Sequence, residues 1–135
     1  MIDWITDEIA IGTRADAEDP ATFKAGVFRS VLSLDGPLQI ADSVPSVRGR
    51  SYPLIDGPGN DARLFLRAVN AVAKLLATDA PLLVHCHAGR SRSPIVVAGH
   101  FLRTRGIGPE EALALVRKKR DIAITAGLER LLWTL

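Results

Sequence analysis

The sequence has 135 residues, of which 47% are apolar, and with only four Phe, two Trp and one Tyr its interior must be built from aliphatic side chains. That length suits a single domain, here expected over 1–135, able to hide roughly two thirds of the surface of its unfolded chain. A net charge of +2, no run of about 18 uncharged apolar residues, and Asp3, Asp7 and Glu8 where a secretory leader would carry Lys or Arg argue against a membrane span or signal peptide and for a cytoplasmic protein.

Along the chain, Glu8 to Gly12 reads as a short strand. Asp19-Pro20 reads as an N-cap followed by proline at the first helical position, opening a turn to Ala25. Val27 to Leu34 suits a second strand, and Asp35 to Gly49, with Gly36, Pro37 and Pro45, an irregular loop. Arg50 to Leu54 resumes as strand and Ile55 to Asn60 as loop. From Asp61 the spacing of Leu64, Ala68, Val72 and Leu75, joined by Phe65, Val69 and Leu76, predicts one helix ending near Ala77.

Leu82 to His85, short, apolar and preceded by Pro81, suits a buried central strand. Pro94 is tolerated only in the first turn of a helix, so Ile95 to Leu102 is expected to be helical directly after Cys86 to Arg92. Pro109 with Glu110 and Glu111 opens a further helix, and Arg117 to Arg120 stand at its far end as the macrodipole favours. A last amphipathic helix is expected over 126–135. Alternating elements with no repeat and no linker predict an α/β fold, a small and mostly parallel central sheet flanked by helices.

Cys86 is the one cysteine, which rules out an intrachain disulfide, a Cys-x-x-Cys redox pair and a cysteine-rich zinc cluster. A lone thiol is either core filler or reagent. The segment His85-Cys86-His87-Ala88-Gly89-Arg90-Ser91-Arg92-Ser93 places a thiol and a guanidinium six positions apart, across a glycine, between a buried strand and a helix N-terminus. In such a loop the N–H groups of His87, Ala88, Gly89, Arg90 and Ser91 can turn inward as a nest, and the following helix adds partial positive charge at the same point.

Arg92 adds a planar fork that holds two phosphate oxygens at once. The same field favours the thiolate of Cys86, the form that attacks phosphorus. Gly89 provides a backbone turn, and the Ser93 hydroxyl lies where it can hydrogen-bond the sulfur and help it leave. A metal site from His85, Cys86 and His87 is not expected, because neighbouring strand residues point to opposite sides and no fourth ligand is evident. Eight Lys or Arg between Arg90 and Arg120 form either an anion-steering field or ordinary solvated helix faces.

His-Cys-x-x-Gly-x-Ser-Arg-Ser resembles the signature of the dual-specificity subgroup of the protein tyrosine phosphatase superfamily, with every fixed position present. The resemblance extends weakly to Ile9 to Gly12, Val27 to Leu34 and the pair Lys119-Arg120. It implies hydrolysis of phosphomonoesters through a phosphocysteine on Cys86, without cofactor or metal, with His85 ordering the loop. It also implies a general acid about thirty residues before the cysteine, a place held by Asp56 in Pro53-Leu54-Ile55-Asp56-Gly57-Pro58, with Asp61 and Asp35 as rivals.

Such an acid is required chemically, since an alkoxide or phenoxide leaves slowly unless protonated. Relatives close to the mammalian mitogen-activated kinase phosphatases carry small-Tyr-Leu-Met after the signature, where this chain has Gly99-His100-Phe101-Leu102. The expected partner is a phosphorylated protein, on tyrosine and/or serine or threonine; nucleic acid is not expected to be one. The alternatives are the same chemistry on a phosphoinositide, a sugar phosphate or an RNA 5′-phosphate, a silent phosphate-binding module, and an oxyanion reductase, which would need further thiols.

Overall fold

The computed structural model describes residues 1–24, 26–38, 44 and 46–135. Ala25, the expected end of the turn after Pro20, and residues 39–43 and 45 of the expected loop 35–49 lie outside them. Five strands form one sheet: β1 (Asp3–Trp4), β2 (Ile9–Gly12), β3 (Ser30–Ser33), β4 (Arg48–Ser51) and β5 (Leu82–His85). Their order is β1-β2-β5-β3-β4, with β1 antiparallel to β2 and every other pairing parallel. The α/β expectation, a small and mostly parallel sheet with helices, is what the chain adopts.

Strand alternation divides the interior in two. Ile9 and Ile11 of β2, Leu32 of β3 and Leu82 and Val84 of β5 face one core. Ala10, Val31 and Leu83 face the other. The larger core is covered by α3 (Ala62–Asp79), α4 (Arg92–Arg105), α5 (Pro109–Arg117) and a 3-10 helix (Leu128–Thr134). The smaller is closed by Ala17 of α1 (Arg14–Glu18) and Phe23 of α2 (Ala21–Lys24). β5 lies between β2 and β3, so a strand apolar on both faces is also the one that carries the cysteine at its end.

The helix over 62–79 begins where the spacing placed it, capped by the Asp61 side chain accepting from Arg63 N–H, and runs two residues beyond Ala77. Its buried stripe is Phe65, Ala68, Val69, Val72 and Leu75. α4 starts three residues before Ile95, which puts Pro94 in its first turn where the missing N–H costs nothing. Within α4, a Cβ on Gly99 would stand 2.8 Å from Val69 Cγ2, so the glycine is what lets α3 and α4 approach.

The differences from expectation have local causes. β3 starts at Ser30, not Val27, because pairing begins where β5 begins, with Ser30 in register with Leu82. Val27 is exposed and Phe28 joins the second core. β4 spans Arg48–Ser51, ahead of the expected 50–54; Arg-Gly-Arg has no apolar alternation and becomes strand by pairing with β3. At the chain end Leu128, Leu131 and Leu132 are buried as an amphipathic helix requires, but the seven-residue segment starts from left-handed Gly127 and winds as a 3-10 helix. β1 and α1 carry no periodic signal and were not expected.

Candidate active site

Cys86 follows β5 directly, and Ser91 is the N-cap of α4, so residues 86–91 form the loop between the central strand and a 14-residue helix. The carbonyls of this loop are held from outside, one after another. Cys86 O accepts from His85 Nδ1 at 3.0 Å, and His87 O accepts from Arg14 N–H at 3.0 Å. Ala88 O and Gly89 O accept from Arg120 Nη2 and Nε at 3.4 and 2.6 Å. Arg90 O accepts from Ala123 N–H at 2.8 Å.

In a planar trans peptide the C=O and the next residue's N–H point in opposite directions. Five carbonyls drawn outward therefore aim the N–H groups of His87, Ala88, Gly89, Arg90 and Ser91 to the loop's other side, and none of these donates to another described residue. A concave set of amide donors at a helix N-terminus has the geometry to hold an oxyanion. Cys86 is 2% exposed, at the foot of the loop.

Gly89 is required twice over. Its φ is +67°, and an added Cβ would lie 2.5 Å from Gly12 O and 2.6 Å from Arg120 Nη2. We expect Gly89→Ala to shift the loop off its donors and lower kcat/KM for a small aryl phosphate about 10²-fold, the cost of misplacing reacting groups by about 1 Å. Steady-state kinetics checks this; an unchanged rate would mean that the loop accommodates the methyl.

Arg92 opens α4, and its Nη1 donates to Leu54 O at 3.2 Å while its buried Nε has no partner. The Ser93 hydroxyl is also buried and unpartnered. Buried polar atoms left without partners cost about 1–3 kcal/mol each, and here both sit in the first turn of the helix that an oxyanion would cap. Ser91 looks the other way: its Oγ donates to Thr125 Oγ1 at 3.2 Å and accepts from Thr125 N–H at 2.9 Å.

Asp56 is exposed on the loop 55–60. Asn60 braces that loop, accepting from Ile55 N–H at 2.7 Å and donating to Ile55 O and Gly57 O at 2.8 and 3.1 Å. A Cβ on Gly127 would lie 3.1 Å from Pro58, so the loop rests against the same 125–127 segment that Ser91 holds. The loop that carries Asp56 and the loop that carries Cys86 thus share one support, and Arg92 joins them through Leu54 O.

The rival carboxylates have other tasks. Asp61 caps α3, and the hydrogen bond from Arg63 N–H holds its carboxyl below its ordinary range, the wrong direction for a proton donor. Asp35 pairs with Arg14 at 2.8 Å and lies 3.6 Å from His85 Nδ1.

His85 is fully buried, and burial first of all lowers its pKa below the ordinary 6.5, with Arg14 adding to the effect and Asp35 opposing it. Its Nδ1–H donates to Cys86 O, and its buried Nε2 has no acceptor beside it that a second ring proton could meet, which fits a neutral ring. A histidine kept neutral on folding binds fewer protons than the unfolded chain once pH falls below about 6.5, so stability declines from there downward. We expect the denaturation midpoint to fall between pH 7 and 5, and His85→Gln to flatten that slope; an equal slope would place the titration elsewhere.

The eight basic residues from Arg90 to Arg120 divide on folding. Arg90 pairs with exposed Asp121, and Arg105 lies over the Phe101 ring. Arg120 alone of 117–120 is buried; besides its two bonds to the cysteine loop it donates to Ile11 O, Met1 O and Asp3. In the sequence Arg120 is one of several cations at a helix end, and nothing there marks it as the brace of the loop. Nor does any sequence signal mark Arg14, Asn60 or Thr125, whose bonds support the two loops.

Residues 24–133 match the family described as dual specificity phosphatase, catalytic domain. The chain belongs to that family. It is 32% identical over 126 residues to Dual specificity protein phosphatase Mpk3 of Drosophila melanogaster, covering 90% of this chain and 30% of that protein. To Dual specificity protein phosphatase 12 of Mus musculus it is 27% identical over 123 residues, covering 88% of this chain and 36% of that protein.

The chain therefore spans about a third of the length of these dual-specificity relatives. The crystal structure of human DUSP28 superposes with a TM-score of 0.83 at 20% identity, covering 97% of this chain and 92% of that one. The likeness is one of fold. Among the described residues no helix is long and apolar enough to cross a membrane.

Proposed function

We propose that residues 1–135 form one catalytic unit that hydrolyses phosphate monoesters in two steps. In the first, the Cys86 thiolate attacks phosphorus, the P–O bond to the leaving group breaks, and Asp56 gives that oxygen its proton. In the second, Asp56 takes a proton from water as its oxygen attacks the phosphocysteine, releasing inorganic phosphate and the thiolate. The amides of 87–91 and the Arg92 guanidinium hold the three equatorial oxygens, and Ser93 donates to the departing sulfur.

The observation that carries this reading is the outward anchoring of five successive carbonyls, which prepares the donors before any anion arrives. Preorganised donors need no rearrangement as charge shifts in the transition state. Membership in the dual-specificity phosphatase family supports phosphorylated tyrosine and serine or threonine of proteins as substrates. The experiment is a turnover screen across phosphotyrosine, phosphoserine and phosphothreonine peptides, phosphoinositides, sugar phosphates and nucleotides. Phosphopeptides are expected to turn over with the highest kcat/KM; a phosphoinositide or nucleotide well ahead of every peptide would reassign the substrate class.

Arg92→Lys is expected to remove at least about 2 kcal/mol of transition-state stabilisation, since an ammonium is a point charge and cannot clamp two oxygens. A near-normal kcat/KM for that variant would show that the clamp lies elsewhere.

A further inference from the structure

Away from the cysteine loop, a groove of about 580 Å³ lies between β4 and α3. It is lined by Arg48 and Arg50 of the strand, Arg67, Asn70 and Lys74 of the helix, and Tyr52. No acidic residue is among the described residues that line it. Arg48 is partly neutralised by Asp79 at 3.2 Å, just past the groove's end, and Arg67 lies over the Tyr52 ring, 5.9 Å from its centroid. Among the described residues Arg50 bonds only its neighbour's carbonyl, and Lys74 has no ion pair.

These cations are spread along the groove and do not converge. Arg48 and Arg50, two apart on a strand, are about 6.6 Å apart on one face. Arg67 and Lys74, seven apart on a helix, lie about 10.5 Å apart along one side. A single phosphate would be met by donors gathered round a point. Donors in two rows match the carboxylates of an extended chain, where alternate side chains recur at the same strand spacing.

The groove also points at the active site. Ser51 at the end of β4 is in register with Ser33, and Ser33 with His85, so Tyr52 stands level with Cys86 and two strands away. Two strand spacings are about 10 Å, or three residues of extended chain.

We propose that the groove between β4 and α3 docks an acidic, extended segment of a substrate protein, its carboxylates beginning about three residues from the phosphorylated one. The proposal rests on the protein-phosphatase reading above for its substrate, and its test separates the two.

Two phosphotyrosine peptides are compared, identical but for a Glu-Ser-Glu-Ser-Glu or a Gln-Ser-Gln-Ser-Gln run three residues from the phosphotyrosine, each made with the run on either flank. For one flank the acidic peptide is expected to have a KM about tenfold lower at low salt with kcat unchanged, as charge complementarity acts on encounter and binding. Arg50→Glu/Lys74→Glu should abolish the preference and leave turnover of phenyl phosphate as in the wild type, which also reports correct folding. The neutral pair Arg50→Gln/Lys74→Gln serves if charge reversal disturbs the fold.

A fluorescein-labelled, unphosphorylated Glu-Ser repeat reads the groove without turnover, and should bind the wild type but not the double variant. Loss of all phosphatase activity with this binding intact would overturn the substrate reading and leave the groove standing. Equal KM for the two peptides on both flanks, or a preference that survives charge reversal, would overturn the docking proposal. So would inositol hexakisphosphate, phosphatidylserine vesicles or RNA binding through Arg50 and Lys74 where the labelled peptide does not.

Discussion

Cys86→Ser is expected to abolish turnover of every phosphomonoester while phosphate or tungstate still binds. The amides of 87–91 and Arg92 remain, because the five carbonyls that orient the loop are anchored by Arg14, His85, Arg120 and Ala123, and none of these bonds uses the sulfur. A serine hydroxyl is not ionised near neutral pH and does not replace a thiolate as nucleophile. The loss should reach the limit of detection, with anion affinity within a few-fold of the wild type by calorimetry. Residual hydrolysis well above that limit would mean that the loop binds the phosphate while another group attacks it.

The second large effect concerns Asp56. Asp56→Asn keeps the shape of the side chain and removes its proton, so hydrolysis of serine, threonine or tyrosine phosphates should fall by about 10² to 10⁴, the usual contribution of general acid catalysis. The loss should shrink as the leaving group improves, because an activated phenoxide departs without help. A series of aryl phosphates measures this as a steeper dependence of kcat/KM on leaving-group basicity in the variant. Asp61→Asn serves as the comparison and should leave that slope and the helix little changed, because an asparagine oxygen caps a helix about as well as a carboxylate. If Asp61→Asn steepened the slope and Asp56→Asn did not, the acid would be misassigned and the cysteine chemistry would stand.

Much of the site could be read from the sequence because its parts are contiguous. A four-residue strand with three apolar residues, a thiol, a glycine, an arginine and a proline in the first turn of a helix fall within 82–94, so local rules place them without knowledge of the rest of the fold. The α3 stripe was legible for the same reason, since 3.6-residue periodicity over eighteen residues leaves few alternatives. What escaped was held by partners distant in sequence. Arg120 reaches Met1, Asp3, Ile11, Ala88 and Gly89, and nothing in Arg-Lys-Lys-Arg tells which of the four will be buried.

The same reason hid the second basic surface. Arg48 and Arg50 are remote from Arg67 and Lys74 in sequence and meet only because β4 closes the sheet beside α3. The denser run of cations in the sequence is the one from Arg90 to Arg120, which folds into a loop brace, an ion pair and solvated helix ends. β4 was misplaced because an edge strand is decided by pairing and not by pattern. The 3-10 ending is a contest between two helices of similar periodicity, settled by a glycine start and a short run.

The most direct measurement of the mechanism is capture of the covalent intermediate. Wild-type protein mixed with an activated aryl phosphate, quenched in acid within the first turnover and digested, should yield one peptide heavier by a phosphoryl group, with the group on Cys86. Asp56→Asn should accumulate more of it when the leaving group needs no proton, because the water step then lacks its base. Absence of any phosphocysteine from protein that is turning over substrate, or a phosphoryl group found on another side chain, would contradict the account.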